Sequence, residues 1–291
     1  MKLGVSSYSF SRLVGDKTLK QIEVIAKAKE MGFDVIEFST ISVPEGKALP
    51  AFAKELKAES ERVGLPIVNY TIGADFLNGS NGNLQAEIDR VKREVDVANI
   101  LGVKGMRHDA TGGYAASHKG PRGFDDALPT LAKGCRGVTE YAATLGIRTM
   151  VENHGFFCQD SARVEKLVNG VNHPNFGALV DVGNFLCADE NPGEAVGRLM
   201  PYAFHCHAKD FHVKPGTAFN PGAGWFLSRG GNYLRGAIIG HGDVPLVQCL
   251  RIFKRAGYDG VLSIEFEGME DVLLGVATGL ANLRRLVEEV K

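Results

Sequence analysis

Four short apolar runs in this chain end on side chains that can bind a metal ion: Thr149-Met-Val-Glu152, Leu179-Val-Asp181, Phe204-His-Cys-His207 and Leu262-Ser-Ile-Glu265. Two glutamates, an aspartate and a histidine form a donor set that is mostly oxygen with one imidazole. Such a set suits Mn, Mg or Co and admits Zn, whereas thiolate sites take softer metals. Cys206 alternates with His207 along an extended strand, so its thiol points away from the other donors. A divalent ion held with positions left open polarises a carbonyl and stabilises the enediolate formed when the adjacent C–H loses its proton. Glu152 and Glu265 are then the groups able to pass that proton as base and acid.

These residues can act together only if the fold gathers the ends of their runs. In a barrel of parallel strands the C-terminal strand ends converge on one face, where active sites of that fold sit. A recurring mark supports this arrangement: Met31-Gly-Phe33, Val63-Gly-Leu65, Leu101-Gly-Val103, Leu145-Gly-Ile147 and Ala256-Gly-Tyr258 each follow a helix-like segment and precede a β-like one. The glycine reads as the left-handed residue that ends a helix. Strands alternating with helices imply a parallel sheet, because parallel strands need crossover connections.

The pattern predicts strands at 3–7, 33–38, 66–70, 103–107, 149–152, 176–181, 203–207 and 260–265. Helices are expected near 18–31, 49–63, 88–100, 124–145, 162–168, 195–199, 246–255 and 276–287. Eight of each make a single (β/α)8 TIM barrel of class α/β over residues 1–291. An open doubly wound sheet would advertise a glycine-rich loop after its first strand, and Ser6-Ser-Tyr-Ser-Phe10 stands there instead. One long connection, about 211–240, carries prolines, glycines and the single Trp225. It leaves the active face directly after His207 and reads as a substrate cover.

Several other residues near strand ends are candidates for substrate contact. His154 lies two residues past Glu152 on the same side of an extended strand, and His108 closes strand four. Lys209 follows His207 and could hold a substrate oxyanion with Asp210. His212 opens the long loop, and Glu37 ends strand two, facing a sugar hydroxyl or pairing internally. His205 sits deeper than His207 and suits the barrel core. Asp243 reads as the cap of helix seven.

Composition narrows the function classes. A formal net charge of −1 and a pI near 6.7 give no general attraction to nucleic acid or anionic membrane. The first residues lack the apolar core of a signal peptide, and no run approaches the roughly 18 apolar residues that span a bilayer. A cytoplasmic location is expected. Five cysteines, odd in number and without CxxC spacing, fit reduced thiols.

Val151-Glu-Asn-His154, Val180-Asp-Val-Gly183, His205-Cys-His-Ala-Lys-Asp210, Gly240-His-Gly-Asp243 and Ser263-Ile-Glu265 together resemble the xylose-isomerase-like barrel superfamily, in its sugar phosphate isomerase/epimerase branch. The resemblance covers nearly the whole chain. It implies a divalent metal, often manganese, on Glu152, Asp181, His207 and Glu265, and homo-oligomers that are dimers or tetramers. In the family's ketose 3-epimerases the two glutamates exchange the proton across the sugar plane. Many members carry histidine three residues after the strand-six aspartate, where it touches substrate or metal; this chain has Asn184. The expected activity is a metal-dependent isomerase or epimerase of a sugar, keto-sugar or cyclitol. A lyase using the same enolate, like inosose or dehydroshikimate dehydratases or enzymes that cleave C-glycosides, is the alternative. A non-catalytic binding or assembly subunit is a third.

Overall fold

The computed structural model describes residues 1–290. Eight parallel strands close into a barrel. Seven of them come first in the chain: β1 (Lys2–Ser6), β2 (Val35–Ser39), β3 (Ile67–Ile72), β4 (Gly105–His108), β5 (Arg148–Glu152), β6 (Phe176–Asp181) and β7 (Ala203–Ala208). A three-stranded antiparallel sheet follows, made of β8 (Asp210–Lys214), β9 (Phe226–Leu227) and β10 (Tyr233–Ala237). The last barrel strand, β11 (Val261–Ile264), pairs with both β7 and β1 and closes the ring. Helices Glu23–Met31, Leu49–Val63, Leu84–Leu101, Phe124–Thr144, Ser161–Val171, Pro192–Leu199, Leu246–Arg255 and Val272–Glu289 pack outside it. Their apolar stripes, such as Ile88, Val91 and Val95, are buried against the strands.

The five punctuation glycines have φ between 68° and 92°, so each helix or turn does end in the left-handed region before its strand. Two elements differ from expectation. The helix expected over 18–31 begins only at Glu23. Asp16 accepts from the Thr18 amide at 2.9 Å and Lys17 turns through φ 65°, while the Glu23 carboxylate takes the Lys20 amide at 2.9 Å and starts the helix late. The connection at 211–240 is not irregular: β8, β9 and β10 form a ladder in it, with His212 opposite Arg235.

Barrel interiors are ordinarily filled by layers of branched apolar side chains. This one is polar toward its C-terminal end, where Glu37, Asn69, Arg107, His205 and Ser263 are all buried. All five cysteines are buried and unbonded. Burial pushes the Cys206 thiol up to about 12, as expected of a side chain facing the helices rather than the donors. Among the described residues no helix is long and apolar enough to cross a membrane.

Candidate metal centre and active site

β5, β6, β7 and β11 are neighbours in the ring, and their ends bring Glu152, Asp181, His207 and Glu265 together. One donor atom from each lies within 4.8 Å of all the others. His207 Nδ1 stands 3.7 Å from Glu152 Oε1, 3.7 Å from Asp181 Oδ2 and 3.7 Å from Glu265 Oε2. These gaps are too long for hydrogen bonds. Asp181 Oδ2 and His207 Nδ1 are buried without a hydrogen-bond partner among the described residues. Buried polar atoms are nearly always satisfied, so two such atoms aimed at one point fit a cation between them.

Local sequence explains why each donor is held. Asp181 Oδ1 accepts from the amides of Gly183 at 2.8 Å and Asn184 at 3.0 Å, leaving Oδ2 free to point inward. Only glycine fits at 183, since a Cβ there would lie 2.7 Å from the Lys209 carbonyl. Asn153 bonds both backbone groups of Asp181, at 2.9 Å each, and so locks the end of β5 to the end of β6. Below the quartet, Glu37 Oε1 lies 2.6 Å from His207 Nε2, and Glu37 Oε2 lies 3.1 Å from His205 Nε2. Asn69 donates to that second oxygen at 3.1 Å, and His205 meets Ser263 Oγ at 2.9 Å. Burial opposes a charge on Glu37, but His207 first and His205 next keep its pKa well below the usual carboxylate range.

Two cations serve the carboxylates. Arg107 Nη2 reaches Glu152 at 2.7 Å and Asp109 at 2.9 Å. Lys209 Nζ reaches Glu265 at 2.6 Å, Glu267 at 3.3 Å and Asp181 at 3.6 Å. Burial alone would raise both glutamates; Arg107 chiefly lowers Glu152, and Lys209 followed by His207 holds Glu265 down to about 2. Glu37, Glu152, Asp181 and Glu265, with Asp109 and Glu267 beside them, set six carboxyl groups against the two permanent cations Arg107 and Lys209. A divalent ion is a charge that would offset part of the remainder, since buried charge is tolerated only when compensated.

A cavity of about 290 Å³ opens above this knot, lined by Tyr8, Ser39, Thr71, Arg107, Asp109 and Glu267 among others. Glu152, Glu265, His154 and Lys209, candidates from the sequence, also line it. His154 Nδ1 pairs with Asp109 at 3.1 Å. Four other candidates lie elsewhere. His108 is turned into the core between Phe76 and Phe176, and burial lowers its pKa to about 4. Glu37 has 0% exposure and serves the two histidines rather than a substrate. Asn184 is buried behind Glu152, donating to it at 3.1 Å and accepting from Lys209 at 3.1 Å. His212 is half-buried on β8 and does not border the cavity.

No residue of 211–240 lines the cavity, so the expected substrate cover does not border it. Asp243 caps no helix: it accepts from the Val213 amide at 2.6 Å, bracing the side sheet. Asp210 is buried and accepts from the amides of Phe211, Gly240, Gly242 and Val244, so it organises the Gly240-His-Gly turn instead of meeting substrate. Arg107, Asp109, Glu267 and Tyr8 were not singled out from the sequence. The signal for Arg107 and Asp109 was alternation around His108: if the histidine faces outward, its two neighbours face inward.

A family model described as xylose isomerase-like TIM barrel matches residues 25–286. Uncharacterized protein MJ1311 of Methanocaldococcus jannaschii is 26% identical over 153 residues, which is 52% of this chain and 46% of that protein; the chain thus matches about half the length of this curated relative. Among solved structures, L-ribulose 3-epimerase superposes with a TM-score of 0.72 at 15% identity, covering 99% of this chain and 95% of that one. AsbF of Bacillus anthracis, described as a probable 3-DHS dehydratase of petrobactin synthesis, superposes with a TM-score of 0.71 at 17% identity, covering 98% and 99%.

Proposed function

Because the chain belongs to the xylose isomerase-like TIM barrel family, we propose that it is a divalent-metal-dependent isomerase or epimerase of a sugar, keto-sugar or cyclitol. The observation that carries this reading is the convergence of Glu152, Asp181, His207 Nδ1 and Glu265 at the floor of a cavity that the two glutamates also border. Manganese, magnesium, cobalt or zinc is compatible with those donors, manganese best matching the mostly oxygen set. When bound, such an ion supplies polarisation of a substrate carbonyl and stabilises the charge that develops as the neighbouring carbon loses its proton.

The chain's own residues do the rest. Arg107 and Lys209 keep Glu152 and Glu265 as carboxylates, so either can take a proton from carbon, and the other returns one from its own side only after it has itself taken a proton from solvent. Asn184 fixes the orientation of Glu152, and His154 offers a ring nitrogen to a substrate hydroxyl. A second reading, loss of water from the same intermediate, draws on Glu267. Burial raises its pKa, with Glu265 adding to the effect and Lys209 opposing it, so of the carboxylates at the cavity wall it most readily takes up the proton that a leaving hydroxyl needs. The family resemblance of this fold to both L-ribulose 3-epimerase and AsbF is compatible with either outcome.

The test is deuterium uptake next to the carbonyl when keto-sugars are incubated with Mn²⁺-loaded protein in D2O, with products resolved into epimers and dehydrated enones. Glu265→Gln should slow exchange by about 10²-fold or more, and His154→Gln far less. A Glu265→Gln protein that retains most of the exchange would sink the two-glutamate mechanism.

A further inference from the structure

We propose that the cavity takes a neutral polyhydroxy ketone of single-sugar size and discriminates against phosphorylated or carboxylated sugars. This rests on the metal-dependent reading above and adds the charge and size of the substrate.

Four observations converge. First, the basic groups bordering the cavity are already engaged. The Arg107 guanidinium holds Glu152, Asp109 and the Ile72 carbonyl, the last at 3.2 Å. The Lys209 ammonium, which has three hydrogens, faces Glu265, Glu267 and the Asn184 amide oxygen. His154 is paired with Asp109 through Nδ1, which leaves Nε2 alone for a substrate hydroxyl. The wall therefore shows Asp109, Glu152, Glu265 and Glu267 against two committed cations, and the divalent ion of the reading above would itself be taken up by Glu152, Asp181, His207 and Glu265. An anionic substituent entering there meets like charge, which is a strong means of rejecting a wrong ligand.

Second, the places where barrels of this type ordinarily bind phosphate are closed by the chain itself. Those places are the loops after the seventh and eighth strands and the helix N-terminus beside them. After the seventh strand, the amides of Gly240, Gly242, Val244 and Phe211 point at the buried Asp210 carboxylate. After the eighth, Asp271 accepts from the Leu274 amide at 2.8 Å at the start of the Val272–Glu289 helix. Third, the hydroxyls of Tyr8, Ser39, Thr40 and Thr71 border the cavity, and none has a side-chain hydrogen bond among the described residues. Neutral groups that both donate and accept suit a polyol. Fourth, about 290 Å³ lies at the small end of small-molecule sites, room for one monosaccharide and not for a nucleotide-linked sugar.

The test uses Mn²⁺-loaded full-length protein with D-fructose, D-fructose 6-phosphate and inorganic phosphate as probes. Binding is read by water-proton relaxation of the bound ion and turnover by deuterium uptake. The wild type should bind fructose at least about tenfold more tightly than its 6-phosphate and should not respond to inorganic phosphate. Asp109→Asn releases one arm of Arg107 and should strengthen phosphate and 6-phosphate binding by about tenfold relative to fructose; Glu267→Gln, which releases Lys209, serves the same purpose if the first variant does not fold. Wild-type protein that prefers the phosphorylated sugar, or binds inorganic phosphate, would overturn the inference while leaving the metal reading in place. If neither sugar exchanges or binds, the functional reading fails. The phosphate arm still decides this inference, because phosphate bound by wild type refutes it and phosphate bound only by the variants supports it.

Discussion

Glu37 shows how far below the cavity the metal reading extends. Its carboxylate is completely buried, and its oxygens face His207 Nε2 at 2.6 Å and His205 Nε2 at 3.1 Å. Two donors bound tetrahedrally about 2.1 Å from an ion stand roughly 3.4 Å apart, so the 2.6 Å approach leaves no room for a second ion between them. A carboxylate on the far nitrogen of a ligating histidine fixes its tautomer and raises its basicity. Glu37→Gln is accordingly expected to weaken Mn²⁺ binding by about 10- to 100-fold with the fold retained, measured by titration calorimetry. An affinity within about twofold of wild type would remove Glu37 from the metal site. Position 37 was legible as a candidate from its place at a strand end, but its role depends on depth along the strand. The same limit caught His108: strand side chains alternate, and a one-residue difference in register exchanges Arg107 for the histidine at the cavity.

At the scale of elements, strand and helix periods were readable because the glycine marks and apolar runs repeat with the βα unit. The 49–63 helix, the 176–181 strand and the 246–255 helix stand where the pattern puts them. The side sheet was not readable: β9 has two residues and its partner β10 follows a Gly-rich turn, so no local period announces it. Buried polar clamps between elements are equally silent in sequence. Glu87, on the helix Leu84–Leu101, accepts from Arg90 at 2.7 Å, Ser80 Oγ at 2.8 Å and the Asp75 amide at 3.2 Å, tying the loop after β3 to that helix. Burial opposes its charge, but Arg90 first and then Ser80 lower its pKa below the usual glutamate value. A carboxylate depressed on folding contributes stability above its unfolded pKa and loses it as pH falls through the folded value. Glu87→Gln should cost about 1.5–3 kcal/mol at neutral pH, and its urea-denaturation curve should approach that of wild type as the pH falls from 4.5 through the lower folded value. Parallel losses at pH 7 and pH 3 would show that the charge on Glu87 does not matter.

For the molecule as a whole, the barrel brings together donors that lie as far apart in sequence as Glu152 and Glu265. The quartet was legible because each member ends an apolar run, and parallel closure sends all such ends to one face. The surrounding charge was less legible. Arg107 and Lys209 acquire meaning only once their carboxylate partners are placed, and the electrostatic balance that favours a divalent ion belongs to the assembled knot. The account therefore stands or falls on metal content. The decisive measurement is elemental analysis of protein purified without added metal, beside Asp181→Ala and His207→Ala. The account predicts near-stoichiometric divalent metal in wild type and its loss in both variants. A wild-type protein that carries no divalent metal and takes up no added Mn²⁺ would contradict it.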